Sequence, residues 1–144
     1  MLTRDVLGNT STRTSTTNSS SVTIDKSGPS FYSVSVSSNN PNSSTLATTG
    51  NVITLNFVTS ETLVSIPSVV IAGQTATVSG SGTSWTATRT VVGGDPNGGV
   101  SLLILVADVA GNTSGFANTT NGSSVFIDKS APTFSSISIS SNNA

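Results

Sequence analysis

A long internal repeat constrains the fold more than any other feature of this sequence. The segment that begins at Asp5 recurs from Asp108, 103 residues further along the chain, and the two copies align without a gap through Asn40 and Asn143. About two-thirds of the aligned positions are identical. This period is roughly the length of one β-sandwich domain. The repeat therefore predicts the last strand of one unit in residues 1–26, a complete unit in 27–128, and a linker with the first strand of another unit in 129–144.

The longest nearly unbroken apolar run, residues 100–106, predicts the central strand of the complete unit. Glycines bound the run on both sides, so it is too short for a buried helix and suits a strand whose two faces are both covered. It ends in the turn Asp108-Val109-Ala110-Gly111-Asn112, an informative local signal. We therefore expect the unit to be organised around this strand.

Shorter segments predict six further strands in the same unit and no helix. Apolar and polar residues alternate in several of them, as in strands with one buried face. The Gly73-Gln74 pair predicts a hairpin. The predicted strands are residues 31–38, 51–60, 68–72, 76–79, 84–91 and 124–127, with 21–24 as a strand of the preceding unit and loops at 39–50, 93–99 and 113–122. The pattern indicates an all-β fold, a β-sandwich of about seven strands.

The composition argues against several classes of function. Charged residues make up 8% of the chain and the net charge is −1, so nucleic acid and anionic membranes are not electrostatically favoured partners. Without Cys or His, the chain lacks disulfides, thiol nucleophiles and the commonest general base and zinc ligand. It also lacks phosphate-binding and nucleophile-elbow motifs. We therefore expect a protein that is not an enzyme and does not insert directly into a membrane.

Five segments carry a family resemblance: Val-Ile-Thr-Leu-Asn-Phe with Ser-Glu-Thr (52–62), Pro-Ser-Val-Val-Ile-Ala-Gly-Gln-Thr-Ala-Thr-Val (67–78), Gly-Thr-Ser-Trp-Thr-Ala-Thr (82–88), Asp-Val-Ala-Gly-Asn (108–112) and Ile-Asp-Lys-Ser-Ala-Pro (127–132). They resemble the bacterial Ig-like tandem repeats of very large surface proteins and adhesins. The resemblance covers essentially the whole chain and implies an immunoglobulin-like Greek-key β-sandwich in tandem repeat, secreted or at the cell surface. Family members form extracellular stalks, and calcium rigidifies the junctions in several branches. The chain start lacks a signal peptide's apolar core, so we expect any export signal elsewhere in a longer protein.

All six acidic residues fall in predicted loops or linkers, which points to a cation site. In an Ig-type sandwich, the incoming linker and the loops after the second and central strands lie at one pole. This first pole would bring together Asp25, Glu61, Asp108 and Asn112. Gathered carboxylates repel one another, and Ca²⁺ relieves that repulsion because it prefers hard oxygen ligands.

A second pole, at the opposite end of the sandwich, would hold Asp95 and Asp128, which would await ligands from the next repeat. The alternative for both poles is that these are ordinary turn residues, since Asp and Asn hydrogen-bond their own backbone. In that case Asp25 and Asp128 would pair with a nearby cation, namely Lys26, Lys129 or Arg89.

The leading hypothesis from the sequence is a structural repeat that serves as a stalk, a spacer or a fibre-forming unit in adhesion. Its partners would be neighbouring repeats, other copies in a fibre, or a host or cell-surface receptor. One alternative is a ligand- or carbohydrate-binding adhesin module, but Trp85 and Tyr32 are the only Trp and Tyr, and we expect Trp85 to be a core residue. Another is a strand-exchanging extracellular filament, in which residues 21–24 complete a neighbour's sheet.

Overall fold

The computed structural model describes residues 1–12, 14–16 and 18–143, and the fold is all-β. Two four-stranded sheets have the strand orders β3-β5-β9-β8 and β12-β11-β6-β7, and smaller sheets have the orders β10-β13-β4 and β1-β2. None of the described segments forms an apolar helix of membrane-spanning length. The strands of the described residues are β1 Leu2–Arg4, β2 Thr10–Thr12, β3 Phe31–Ser38, β4 Leu46–Ala47, β5 Val52–Thr59, β6 Ser68–Ile71, β7 Gln74–Thr75, β8 Thr77–Ser81, β9 Ser84–Thr90, β10 Gly98–Gly99, β11 Leu102–Ala107, β12 Thr113–Phe116 and β13 Phe126–Ile127.

The two four-stranded sheets contribute to one apolar core, as in a β-sandwich. Leu55, Phe57 and Trp85 come from the first sheet, and Ile71 and Ile104 come from the second. Burial of each such side chain stabilises the fold by roughly 1.5–3 kcal/mol, because apolar surface leaves water. Trp85 is 7% exposed, which confirms its predicted place in the core.

The first sheet has one apolar and one polar face. In β5, Ile53, Leu55 and Phe57 are buried, while the alternate side chains Thr54 and Asn56 point to the other face. Strand pairing extends that polar face into rows of hydroxyl and amide groups, including Ser35, Asn56, Thr86 and Ser79 in one row and Ser37, Thr54, Thr88 and Thr77 in another. The predicted strands 31–38, 51–60 and 84–91 match β3, β5 and β9 because this alternation is regular.

The second sheet corrects the predicted burial of the central strand. β11 lies between β12 and β6, and its residues Ile104 and Val106 face the core. The alternate side chains Leu103 and Leu105 are 38% and 48% exposed, so the prediction that both faces are covered is wrong. An apolar run shows that both faces are apolar, but it does not show that another layer covers each one.

Short strands account for other differences from the sequence prediction. The predicted loop at 39–50 contains β4, which pairs in parallel with β13, and the predicted loop at 113–122 contains β12. The predicted hairpin is shifted: its turn is Ala72-Gly73, with φ of 51° and 74°, and β6 pairs with β7. β8 instead pairs with β9 in the other sheet. Strands of two residues carry too few side chains to show an alternating pattern.

The N-terminal segment forms a hairpin of β1 and β2, and the strand predicted at 21–24 is not formed. Val22 and Ile24 are 91% and 76% exposed, whereas their repeat equivalents Val125 and Ile127 are 2% and 1% exposed. The exposures differ because residues 125–127 lie against the sandwich and residues 22–24 do not. Residues 129–143 also form no strand.

Candidate metal centre

Three carboxylates converge at the predicted first pole. Asp25 lies in the linker before β3, Glu61 follows β5, and Asp108 follows β11. One carboxylate oxygen from each lies within 4.8 Å of the others. Asp25 is exposed, Glu61 is half-buried, and Asp108 is 1% exposed. The structure therefore brings together the three acidic residues that the sequence assigned to this pole, and the fourth residue, Asn112, hydrogen-bonds Asp108 beside them.

The turn that carries Asp108 is held by its own polar groups. Asp108 Oδ1 accepts the Asn112 backbone N–H at 2.8 Å, and Asp108 Oδ2 accepts the Asn112 side-chain N–H at 2.8 Å. Gly111 adopts a φ of 90°, a conformation that favours glycine. The side-chain hydrogen bond from Asn112 lowers the pKa of Asp108 below its ordinary value of 3.8, although burial acts in the opposite direction. The turn thus positions an ionised carboxylate.

Asn112 also ties this turn to the incoming linker. Its side-chain Nδ2 donates to the backbone oxygens of Asp25 and Ser27, both at 3.3 Å. The amide nitrogen, and not the amide oxygen, is therefore the group that faces Asp108 and the linker. In this arrangement Asn112 orients Asp108 and the linker, and the carboxylates are the groups that could hold a cation.

The linker approaches β12 closely at Gly28. A Cβ atom at this position would lie 2.5 Å from Ser114 Oγ and 2.8 Å from the backbone oxygen of Thr113. A side chain there would force the linker away from the sheet. Glycine therefore lets the linker lie against β12, which keeps Asp25 beside Glu61 and Asp108.

Electrostatic repulsion is built into the cluster. Burial raises the pKa of Glu61 above its ordinary value of 4.5, and the negative charges of Asp108 and Asp25 raise this pKa further. A cation between the carboxylates would remove that repulsion. Ca²⁺ binds oxygen ligands at about 2.3–2.6 Å, so two ligands of one ion can lie about 5 Å apart. The spacing of the three carboxylates therefore fits one Ca²⁺ ion.

The second pole has a different arrangement. Asp95 is 6% exposed and forms an ion pair with Arg89, and its other oxygen accepts the Val92 backbone N–H at 2.9 Å. The hydrogen bond from Arg89 lowers the pKa of Asp95 below its ordinary value of 3.8. Asp128 is exposed and accepts the Ser130 backbone N–H at 2.9 Å. Within the described ranges, Asp25, Glu61 and Asp108 are the one acidic group with metal-site spacing, and neither second-pole residue belongs to it.

No protein-family model, curated protein or solved structure matches this chain. Function is therefore inferred from the residues and distances of the chain itself.

Two features of the surface were not foreseen from the sequence. Lys129 donates from Nζ to the backbone oxygens of Gly93 and Asp95. A groove of about 500 Å³ lies beside β11 and β12, and its lining includes Ile66, Leu105 and Gly115 but no charged residue. The sequence indicated Lys129 as a possible partner of an acidic side chain, but its acceptors are backbone atoms, which leave no trace in the sequence.

Proposed function

We propose that this chain is a non-catalytic structural repeat of an extracellular bacterial surface protein, a stalk or fibre-forming unit of Ig-like Greek-key sandwiches in tandem. The observation that carries the proposal is that the hairpin at the start of each copy of the sequence repeat has the same strand pairing. β1 and β2 pair in the register Leu2↔Thr12 and Arg4↔Thr10. At an offset of 103 residues, β11 and β12 pair in the equivalent register.

The turns and linkers of the two copies also agree. Asp5 accepts hydrogen bonds from the backbone and side chain of Asn9, both at 2.9 Å, as Asp108 does from Asn112. Gly8 shares the 90° φ of its counterpart Gly111. In the linkers, Asp25 and Asp128 accept the backbone N–H two residues ahead at 3.0 and 2.9 Å. Matching sequence and matching backbone together support units that recur along one chain.

Exposed apolar residues in the terminal segments support the same arrangement. Ile137 and Ile139 are 82% and 100% exposed, whereas their repeat equivalents Val34 and Val36 are 0% and 6% exposed. Val22 and Ile24 show the same contrast with their buried equivalents at the other end of the chain. A neighbouring unit that supplies the missing sheets would bury these side chains.

Calcium at the first pole would stiffen such an array. Asp25 belongs to the linker, while Glu61 and Asp108 belong to the sandwich that follows it. One Ca²⁺ ion bound by all three would therefore fasten the linker to that sandwich. Short junctions that bend little allow the reach of a stalk to grow with the number of repeats.

A strand-exchanging filament is the second candidate, and the exposed Val22 and Ile24 favour it. The backbone of residues 21–24 could pair with the sheet edge of another copy, and the exposed side chains of Val22 and Ile24 would then be buried against that sheet. The two candidates differ in how the mass of the particle depends on concentration: a filament grows with concentration, and a stalk unit stays monomeric.

Small-angle X-ray scattering on a duplicated chain tests the proposal. The protein would carry residues 26–128 twice in succession, which inserts one period at the natural spacing. We expect a monomer whose maximum dimension exceeds that of the 144-residue chain by on the order of 30–40 Å, the length of one domain with a radius of gyration of about 13 Å.

The matched control replaces the internal linker with a Gly/Ser sequence of equal length, which should broaden the distribution of shapes. A compact particle with no added length would contradict the stalk. Growth of the particle with concentration would instead support the filament.

A further inference from the structure

The 93–97 loop at the second pole forms a binding site for a lysine. Lys129 Nζ donates to the Gly93 backbone oxygen at 2.6 Å and to the Asp95 backbone oxygen. The Lys129 backbone N–H donates to Asn97 Oδ1 at 3.1 Å, and Asn97 Nδ2 donates to Ser130 Oγ at 2.9 Å. Two side chains of the outgoing linker, Lys129 and Ser130, and the backbone N–H of Lys129 are therefore fastened to a single loop.

A buried ion pair holds this loop in the shape that receives the lysine. The Arg89 and Asp95 side chains are 8% and 6% exposed and bind each other. Asp95 also makes two hydrogen bonds with the backbone of Val92. Its carboxylate accepts the Val92 N–H at 2.9 Å, and its own backbone N–H donates to the Val92 oxygen at 3.1 Å. The carbonyl oxygens are thus fixed before the lysine arrives, and the nearby Asp95 carboxylate favours a positive charge. A compact ammonium group with three donors suits two converging carbonyls.

The incoming linker repeats the same three residues but makes the opposite contacts. In Asp25-Lys26-Ser27, the backbone oxygens of Asp25 and Ser27 accept hydrogen bonds from Asn112 of the following sandwich. The Asp25 carboxylate lies in the acidic cluster of that sandwich. Lys26 is exposed and has no hydrogen-bond or ion-pair partner among the described residues.

We propose that Asp-Lys-Ser is a two-sided connector. Its lysine binds the 93–97 loop of the sandwich that the linker leaves, and its aspartate and backbone oxygens bind the sandwich that the linker enters. Lys129 makes the first set of contacts in this chain, and Asp25 and Ser27 make the second. The assignment of Lys26 to a loop of the same type in a preceding sandwich rests on the proposed tandem arrangement. The partner of Lys26 is thus a loop that presents two carbonyl oxygens above a carboxylate.

Hydrogen exchange on the full chain tests the half of the connector that this chain contains. Lys129→Met keeps the length of the side chain but removes its donors. We expect it to raise the exchange rates of the Lys129 and Ser130 amides about tenfold or more, because the linker would open from the loop without unfolding of the sandwich. Lys26→Met is the matched control, and it should leave every one of these rates unchanged.

Asn97→Ala is a second variant, which removes the other contacts of the same loop and should accelerate the same two amides. Unchanged rates in both variants would overturn the connector, as would an equal acceleration in Lys26→Met. Trp85 fluorescence reports whether each variant retains the folded core.

The duplicated chain separates failure of the connector from failure of the proposed function. Replacement of the internal linker's lysine by Met should broaden the distribution of distances between the two sandwiches in scattering. An extended particle that is insensitive to this change would overturn the connector and leave the stalk standing. A compact particle would contradict the stalk, while accelerated exchange in Lys129→Met would still support the lysine site.

Discussion

The Arg89–Asp95 ion pair offers the sharpest test of how the second pole is held together. Asp95→Ala removes the carboxylate and leaves the Arg89 guanidinium buried, with its Nη1 already lacking a hydrogen-bond partner among the described atoms. Both side chains are less than one-tenth exposed, at 8% and 6%, so little water can replace the lost partner. Breaking such a buried pair costs about 3–5 kcal/mol. We expect a loss of that size, a large fraction of the roughly 5–15 kcal/mol that stabilises a typical domain.

Urea unfolding followed by Trp85 fluorescence measures this loss. Trp85 is the only tryptophan, is 7% exposed, and lies in the sandwich core, so its emission reports on the core alone. A slope of about 1–3 kcal/mol per molar urea converts a loss of about 4 kcal/mol into a midpoint shift on the order of 2 M. Equal urea slopes for the parent chain and Asp95→Ala would show that the variant changes the free energy of unfolding and not the surface exposed on unfolding.

The control is the double variant Arg89→Met with Asp95→Leu. It removes both charges and fills similar volume, so we expect it to recover most of the stability that Asp95→Ala loses, because no isolated charge stays buried. A loss below about 1 kcal/mol in Asp95→Ala would refute the reasoning, since it would mean that water reaches the guanidinium. A double variant as unstable as the single one would also refute it.

Two further predictions concern the acidic residues. Millimolar Ca²⁺ should raise the thermal unfolding midpoint above its value in EDTA, because an ion that binds only the folded state stabilises it. Asp25→Ala should abolish this rise, whereas Asp128→Ala, at the equivalent position of the other linker, should preserve it. No rise in the parent chain would contradict the calcium proposal. In acid, Asp95 and Asp108, whose pKa values are lowered, should lose their stabilising contribution as the pH falls below about 3.8. The raised pKa of Glu61 acts in the opposite sense, so stability should decline as the pH rises above about 4.5, and Glu61→Gln should remove that decline in calorimetric scans.

The parts of the fold that the sequence predicted are those with a regular side-chain pattern. β3 and β5 alternate over eight residues each, so their bounds were close to correct. The two-residue strands β4 and β7 were missed because pairing of their backbone decides them. Residues 21–24 have the composition of a strand, but a strand forms only where another strand accepts its hydrogen bonds.

The candidate site was predictable to the extent that the strand order placed the loops of three acidic residues at the first pole. Asp25, Glu61 and Asp108 do converge. The orientation of Asn112 and the contacts of Lys129 depend on where backbone carbonyl oxygens point, which the sequence does not specify. Likewise, Asp95 was assigned to a cation site because it lies in a loop at the opposite pole. Its ion pair with Arg89, six residues earlier, depends on how the chain bends back between them, which the sequence does not specify.

The small hairpin of β1 and β2 has a consequence for the order of folding events. Its strands are joined by a turn that closes through its own Asp5 and Asn9, so contacts only ten residues apart suffice to form it, on a timescale of about 1–10 μs. The pairing of β4 with β13 instead joins residues about eighty positions apart. In the proposed tandem array, neighbouring units of similar sequence would be prone to exchange such distant strands. A turn that fixes register locally would give each unit an early, self-contained starting point and so reduce misassembly between units.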